Sequence, residues 1–214
     1  MKEAGQRKTH MHNQKEHEAY LCAMRHESRK AIIFSGPSGV GKTTIARHLL
    51  NDNACLGFSV SACTRARRPH EIHSKDYYFL SVHEFKRKIA QDAFVEWEEV
   101  YSGNYYGTLK AEVTSIWAAE QAAVFDMAVQ GGLKLKSLFK ENALAVYVKA
   151  PSLQTLQDRL RQRNTEQEED IALRMQKVTT ETSLATQFDI ILYNEHLPTS
   201  LAQAQALLDK FLIR

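Results

Sequence analysis

The chain predicts an α/β fold in which a parallel sheet is flanked by helices and interrupted by an inserted, mostly β lobe. Three observations predict it. Short apolar runs recur at residues 31–35 (AIIFS), 123–127 (AVFDM), 143–148 (ALAVYV) and 189–193 (DIILY), the pattern of strands buried on both faces. Helical stretches lie between or after them, and that alternation implies right-handed parallel crossovers. Residues 58–110 break the rhythm: they are rich in Ser, Thr, Tyr and Trp and read as short strands.

Composition limits the functional classes. With 214 residues the chain suits one core carrying inserted lobes, and its 43% hydrophobic and 25% charged residues are those of an ordinary globular protein. A formal net charge of +3 argues against a dedicated nucleic-acid binder. Cys22, Cys55 and Cys63 form no CxxC pair, which points to a reducing cytoplasm rather than a disulfide scaffold. No apolar run approaches a membrane span, and the N-terminus lacks a signal-peptide core. Oligomeric state is left open.

Taken in order, residues 1–29 form a polar extension holding four of the nine histidines and read as a flexible or partly helical appendage. His10 and His12 could meet a metal, but no Cys or further His follows at finger-like spacing. The core opens at AIIFS, a buried strand. Gly36-Pro37-Ser38-Gly39-Val40-Gly41-Lys42-Thr43 then satisfies GxxxxGK[ST], followed by Thr44 and a helix whose Ile45, Leu49 and Leu50 share one stripe. Glycines there let main-chain N–H groups converge on phosphate oxygens. Lys42 is expected to reach the β and γ phosphates and the Thr43 hydroxyl to bind Mg²⁺.

The core spans residues 30–57 and 111–214, and the lobe 58–110. The lobe contains the strands FSVSACTR, DYYFL, FVEWEEVY and NYYGT, and one helix opened by Ser81 with Glu84 as a capping box. Asp126 ends the AVFDM strand, either as the acid beside Mg²⁺ or as a turn cap. Leu153, Leu156 and Leu160 mark a following helix. Residues 159–170 (RLRQRNTEQEED) are so polar that they read as an exposed flap without apolar anchors, and Leu201, Leu208 and Phe211 mark the last helix.

Within the lobe, Ser61, Arg65, Arg68, Tyr77, Glu96, Tyr106 and Thr108 crowd into one region. Paired arginines and tyrosines suit a phosphate monoester, and a carboxylate beside hydroxyls suits the N1–H, amino group and O6 of guanine. Surface arginines, half-buried tyrosines and a solvated Glu remain the plain alternative for each residue singly. Arg159 and Arg163 are four apart, on one helical face if the segment is helical; a solvated charged face is the other reading.

From Ala31 to the C-terminus the sequence resembles the guanylate kinases, most specifically in GPSGVGKTT, SVSACTRARRP, DYYF, VEWEEV, GNYYGT and VFDMAVQGG. The resemblance implies a P-loop NTPase core with a GMP-binding lobe and a helical lid at about 159–170, moving the γ-phosphate of ATP to GMP. By that match Ser61, Glu96 and Thr108 contact guanine, and Arg65, Arg68, Tyr77 and Tyr106 the GMP phosphate. Arg159, Arg163 and Arg174 act with Lys42 on the transferring group, and Asn194 lies near adenine. Residues 126–128 depart from the family's Asp-x-Asp: Asp126 is kept, but Ala128 stands where a second acid helps grip guanine. Two other readings stay open: a non-catalytic module of this type binding a phosphorylated peptide, and a P-loop kinase with another acceptor.

Overall fold

The computed structural model describes residues 29–162 and 168–213. The N-terminal extension with His10 and His12, and Arg163 in the flap, lie outside the described residues.

The first apolar run is β1 (Ala31–Ser35), every residue buried. It sits at the centre of a parallel sheet beside β7 (Ala122–Met127) and β8 (Ala143–Lys149), with β2 (Leu56–Phe58) and β9 (Ile190–Tyr193) at the edges. Alternation along β1 divides the core. Ile32 and Phe34 pack with Ile45, Leu49, Leu208 and Phe211, whereas Ile33 packs with Val113, Trp117, Leu135 and Phe139. Those partners belong to helices on opposite faces: α1 (Lys42–Asp52) and the last helix, Leu197–Leu212, on one; Lys110–Ala118 and Val129–Phe139 on the other. Burial on both faces explains why the strand sequences are nearly continuous apolar runs. The Lys30 ammonium donates to the carbonyls of Phe211 (3.0 Å) and Leu212 (2.8 Å), a cation at a helix C-terminus that ties the two ends of the domain together.

The lobe is a second sheet in the order β4 (Tyr78–Phe79), β3 (Ala62–Cys63), β6 (Asn104–Leu109), β5 (Phe94–Tyr101). Its helix, α2 (Val82–Ala90), opens with the expected capping box: the Ser81 hydroxyl accepts from the Glu84 amide, and the Glu84 carboxylate accepts from the Ser81 amide. Phe85 beneath it stacks on Phe94, with ring centroids 4.4 Å apart.

The sequence reading differs from the structure in three places. The run expected as one lobe strand from Phe58 to Arg65 is split: Phe58 ends β2 in the core sheet, and Ala62–Cys63 alone pair in the lobe. Leu153 is exposed at 57%, because it begins its helix (Leu153–Gln162, here α5 after α3, Lys110–Ala118, and α4, Val129–Phe139) outside the packed stripe of Leu156 and Leu160. The described start of the flap carries an apolar anchor where none was expected, since Leu160 is buried in α5. After residues 163–167 the chain resumes as α6 (Glu168–Ser183), and α7 (Leu197–Leu212) ends the fold.

Candidate active site

The turn after β1 and the start of α1 form a cradle of main-chain amides. Gly36 has φ 142°, and a Cβ there would collide with the Val148 carbonyl; at Gly41, φ 99°, it would collide with the Asn194 amide. Only glycine serves at both. Helix α1 begins without a side-chain cap and without an acid in its first turn, leaving its N–H groups and positive dipole end available to an anion. The Lys42 ammonium donates to the carbonyls of Gly36 (2.7 Å) and Pro37 (3.0 Å), and the Thr43 hydroxyl donates to the Asp126 carboxylate. A hydroxyl and a carboxylate meeting beside the loop are the hard-oxygen donors that Mg²⁺ takes alongside phosphate oxygens. Among the described residues no cluster of three or more His, Cys, Asp or Glu could hold an ion alone.

The loop opens into a cavity of about 540 Å³ between core and lobe. Gly36, Ser38, Gly39, Gly41, Lys42, Thr43 and Asp126 bring the loop and its neighbouring acid to the wall. Glu96, 8% exposed, lines the same cavity, and its carboxylate accepts from the fully buried Thr108 hydroxyl at 2.8 Å. Ser61 lines the same cavity, and Gly131 approaches so closely that a Cβ there would sit 3.0 Å from Glu96 Oε2. Burial pushes the Glu96 carboxyl up to about 7; the Thr108 hydrogen bond opposes this, the charge of Glu98 adds to it, and Lys134 lowers it again.

Arg65, Arg68, Tyr77 and Tyr106 also line the cavity. Arg65 forks onto Glu71, Nη2 to Oε1 at 2.5 Å and Nη1 to Oε2 at 2.7 Å, and its Nη1 also donates to the Ala66 carbonyl at 2.9 Å. Its guanidinium lies 4.8 Å from the Tyr77 ring centroid. Glu71 also accepts the Arg68 amide at 2.9 Å, with the Arg68 Nη1 3.6 Å away. Burial, with the nearby Asp126 charge, pushes the Tyr77 hydroxyl well above the usual range, so it stays a neutral donor. Arg174, from α6, completes the wall with its guanidinium 5.6 Å from the Tyr101 ring.

Other expected residues sit elsewhere. Asn194 is 3% exposed and lies behind the loop, donating from Nδ2 to the Val40 carbonyl at 2.7 Å. Arg159 donates to the Asn194 carbonyl at 3.0 Å and so braces the same loop. Pro37 and Val40 line a separate, mostly apolar cavity of about 330 Å³ beneath α5 and α6, and Thr44 is exposed on α1. Sequence reasoning missed Glu71, Glu98 and Glu181, all on the cavity wall, and the Arg47–Asp76 ion pair (2.6 Å) that ties α1 to the lobe. Burial raises the Glu181 carboxyl, while Lys42 and Lys177 lower it.

A family model described as guanylate kinase matches residues 28–211. The guanylate kinase of Bacteroides fragilis is 43% identical over 183 residues, covering 86% of this chain and 90% of that protein. That of Porphyromonas gingivalis is 41% identical over 186 residues, covering 86% and 99%. The crystal structure of guanylate kinase from Anaplasma phagocytophilum superposes with a TM-score of 0.71 at 25% identity, covering 89% of this chain and 90% of that one. A matching family model over nearly the whole described chain and relatives above 40% identity lead to one conclusion: this chain belongs to the guanylate kinase family.

Proposed function

We propose that the chain catalyses MgATP + GMP ⇌ ADP + GDP, and dGMP in place of GMP, in the cytoplasm. The observation that carries this reading is a single cavity whose wall holds a phosphate-type loop, a buried hydroxyl-bonded carboxylate and two arginines. Glu96 would accept the N1–H and amino hydrogens of guanine, with Ser61 and Thr108 beside it. Arg65, Arg68, Tyr77 and Tyr106 would hold the 5′-phosphate. One oxygen of that phosphate attacks the γ-phosphorus, the bond to the bridging oxygen breaks, and its electrons leave on ADP. No covalent enzyme intermediate is required. Catalysis is then alignment and charge neutralisation, with Lys42 and Arg174 on the cavity wall and Arg159 and Arg163, as the family resemblance implies, spreading the charge of the transferring group. Mg²⁺, held through Thr43 and Asp126, would neutralise phosphate charge. The ATP-side contacts of residues 36–44 would be main-chain N–H groups, Pro37 excepted, with the side chains of Lys42 and Thr43, and Asn194 supports the loop through the Val40 carbonyl.

The test is an ADP-release assay with ATP and GMP, dGMP, AMP, UMP or CMP. Turnover restricted to the two guanine nucleotides is expected. ADP formed only with a different acceptor would make this a kinase of changed specificity, and no ADP with any acceptor would make it a binding module.

The raised Glu96 carboxyl gives the reaction a pH signature. Guanine needs the carboxylate, so GMP affinity is expected to strengthen as pH rises through about 7 and then level off. Below that value it should weaken by roughly tenfold per pH unit. Calorimetric titration of GMP from pH 5.5 to 8.5, repeated on Glu96→Gln, checks this: the variant should lose the step near 7 and retain only the phosphate's own ionisation near about 6. In the ligand-free protein the sign is opposite. A carboxyl whose folded value is about 7 against 4.5 unfolded contributes stability below 4.5 that fades as pH rises to about 7.

A further inference from the structure

Strand β5 carries two acids on its inner face. Residues two apart in a strand point the same way, so Glu96 and Glu98 both face the cavity, while Trp97 between them is turned outward and 40% exposed. Their cross-strand neighbours, Thr108 and Tyr106, belong to the site as well.

The two carboxyls differ in one respect. Glu96 has its Thr108 partner, whereas Glu98 Oε1 is buried and has no hydrogen-bond partner among the described residues. The nearby ammonium groups are turned to main-chain carbonyls, Lys134 to Trp97 (2.7 Å) and Lys177 to Val100 (2.9 Å). A buried acceptor left unpaired is costly and calls for an explanation; on the wall of a ligand-sized cavity, a ligand that supplies the missing donor is one. Ala128 also lines this cavity, a methyl group with nothing to offer the base, where the family's Asp-x-Asp would set its second acid. Guanine presents three hydrogens on one edge, one on N1 and two on the amino nitrogen. One carboxylate with two oxygens leaves a donor over.

We infer that Glu98 takes the base hydrogen that residue 128 cannot, and so restores the selection of guanine from the wall formed by β5. This rests on the cavity being the GMP site. The discriminating group is the 2-amino substituent: hypoxanthine keeps N1–H and O6 but lacks it, so a site with an acceptor aimed there rejects IMP by leaving that acceptor unpaired.

The experiment measures kcat/KM for GMP, dGMP and IMP at saturating ATP in the wild-type protein, Glu98→Ala, Glu98→Gln and Glu98→Ala/Ala128→Asp, with melting temperatures. Losing a charge-assisted hydrogen bond corresponds to on the order of tenfold to a hundredfold. Glu98→Ala is expected to raise the KM for GMP and dGMP by that factor, to move IMP little, and so to collapse the GMP-to-IMP preference while the KM for ATP stays put. Ala128→Asp should recover much of the preference in the Glu98→Ala background. Glu98→Gln should melt no lower than wild type without ligand, since it removes an unpaired charge. An unchanged GMP-to-IMP ratio in Glu98→Ala, equal losses on GMP and IMP, a loss confined to GMP over dGMP, or a Glu98→Gln protein that melts several degrees lower would each overturn the inference. Wild-type protein inactive on every guanine nucleotide would instead overturn the reading of the cavity, and this inference with it.

Discussion

Lys42→Ala is expected to lower turnover by on the order of a thousandfold while the protein stays folded. The residue opens α1 and lines the cavity at its phosphate end, with its ammonium 2.7 Å and 3.0 Å from the carbonyls of Gly36 and Pro37. Those bonds hold the amine inside the cradle before any nucleotide arrives, so its charge needs little rearrangement to meet developing negative charge on the phosphoryl group. Removing a single preorganised neutral donor from a reaction centre costs about a hundredfold to a thousandfold in kcat, and a full charge belongs at the upper end. The structural cost is smaller. Gly36 lines the open cavity, so its carbonyl can turn to water, which limits the loss to about 1 kcal/mol per hydrogen bond. The two quantities separate by measurement: kcat at saturating ATP and GMP, and a thermal melt on the same preparation. A variant that turned over normally would remove the phosphate loop from the mechanism. One that failed to fold would show that the lysine's loop contacts are worth far more to stability than two ordinary hydrogen bonds.

The sheet was legible in the sequence because its strands are buried on both faces. AIIFS coincides with β1; in the lobe FVEWEEVY coincides with β5, a strand that is buried only in part and is rich in aromatic and β-branched residues. The capping box of α2 was equally local, three residues apart and self-contained. What escaped depended on distant chain. Phe58 looks like the start of a lobe strand until β7, more than sixty residues on, is seen to claim it at Val124. The loop motif announces an anion site, but it cannot say that Asn194 stands behind Val40 rather than before it, because that depends on where β9 ends against β8. Glu98 was open to a period-of-two reading of β5, which sets it beside Glu96. Glu71 was not, since its neighbours in sequence suggest a solvated turn, and only the folded lobe returns it beneath Arg65.

Glu71→Ala is expected to destabilise the protein by about 3 kcal/mol and to weaken GMP binding as well, although Glu71 itself repels a phosphate. Two effects compete. The carboxylate occupies part of Arg65, so removing it would free more of the guanidinium for substrate. It also fixes where that guanidinium points. Arg65 has five N–H donors; two on Nη1 and one on Nη2 are committed to Ala66 and Glu71, which leaves the Nε–Nη2 edge as a fork for the acceptor phosphate. Without Glu71 the arginine keeps its charge and loses its direction, while the Arg68 amide loses its acceptor. Orientation wins, because a bidentate fork gives up most of its advantage when the side chain must be ordered on binding. A rise of roughly tenfold in the KM for GMP follows, with the KM for ATP little changed. The stability loss comes from leaving Arg65 charged and unpaired in a site where Glu71 is only 8% exposed; removing one partner of such a pair costs about 3–5 kcal/mol, and the cavity's access to water holds it to the lower end. Burial raises the Glu71 carboxyl, but the hydrogen bonds from Arg65 and the Arg68 amide outweigh it and hold the group below its ordinary 4.5. Its stabilisation is therefore present above pH 4.5 and lost as pH falls through the lower folded value, so wild type and variant should converge in acid. Urea denaturation of wild type, Glu71→Ala, Arg65→Ala and the double variant between pH 3 and 7 measures the pair. The double variant should lose less than the two single losses added together, since each single change strands a charge that the double change removes. Additive losses would mean that Arg65 and Glu71 stabilise the lobe separately, and a tighter KM for GMP in Glu71→Ala would make Glu71 a competitor of the substrate phosphate.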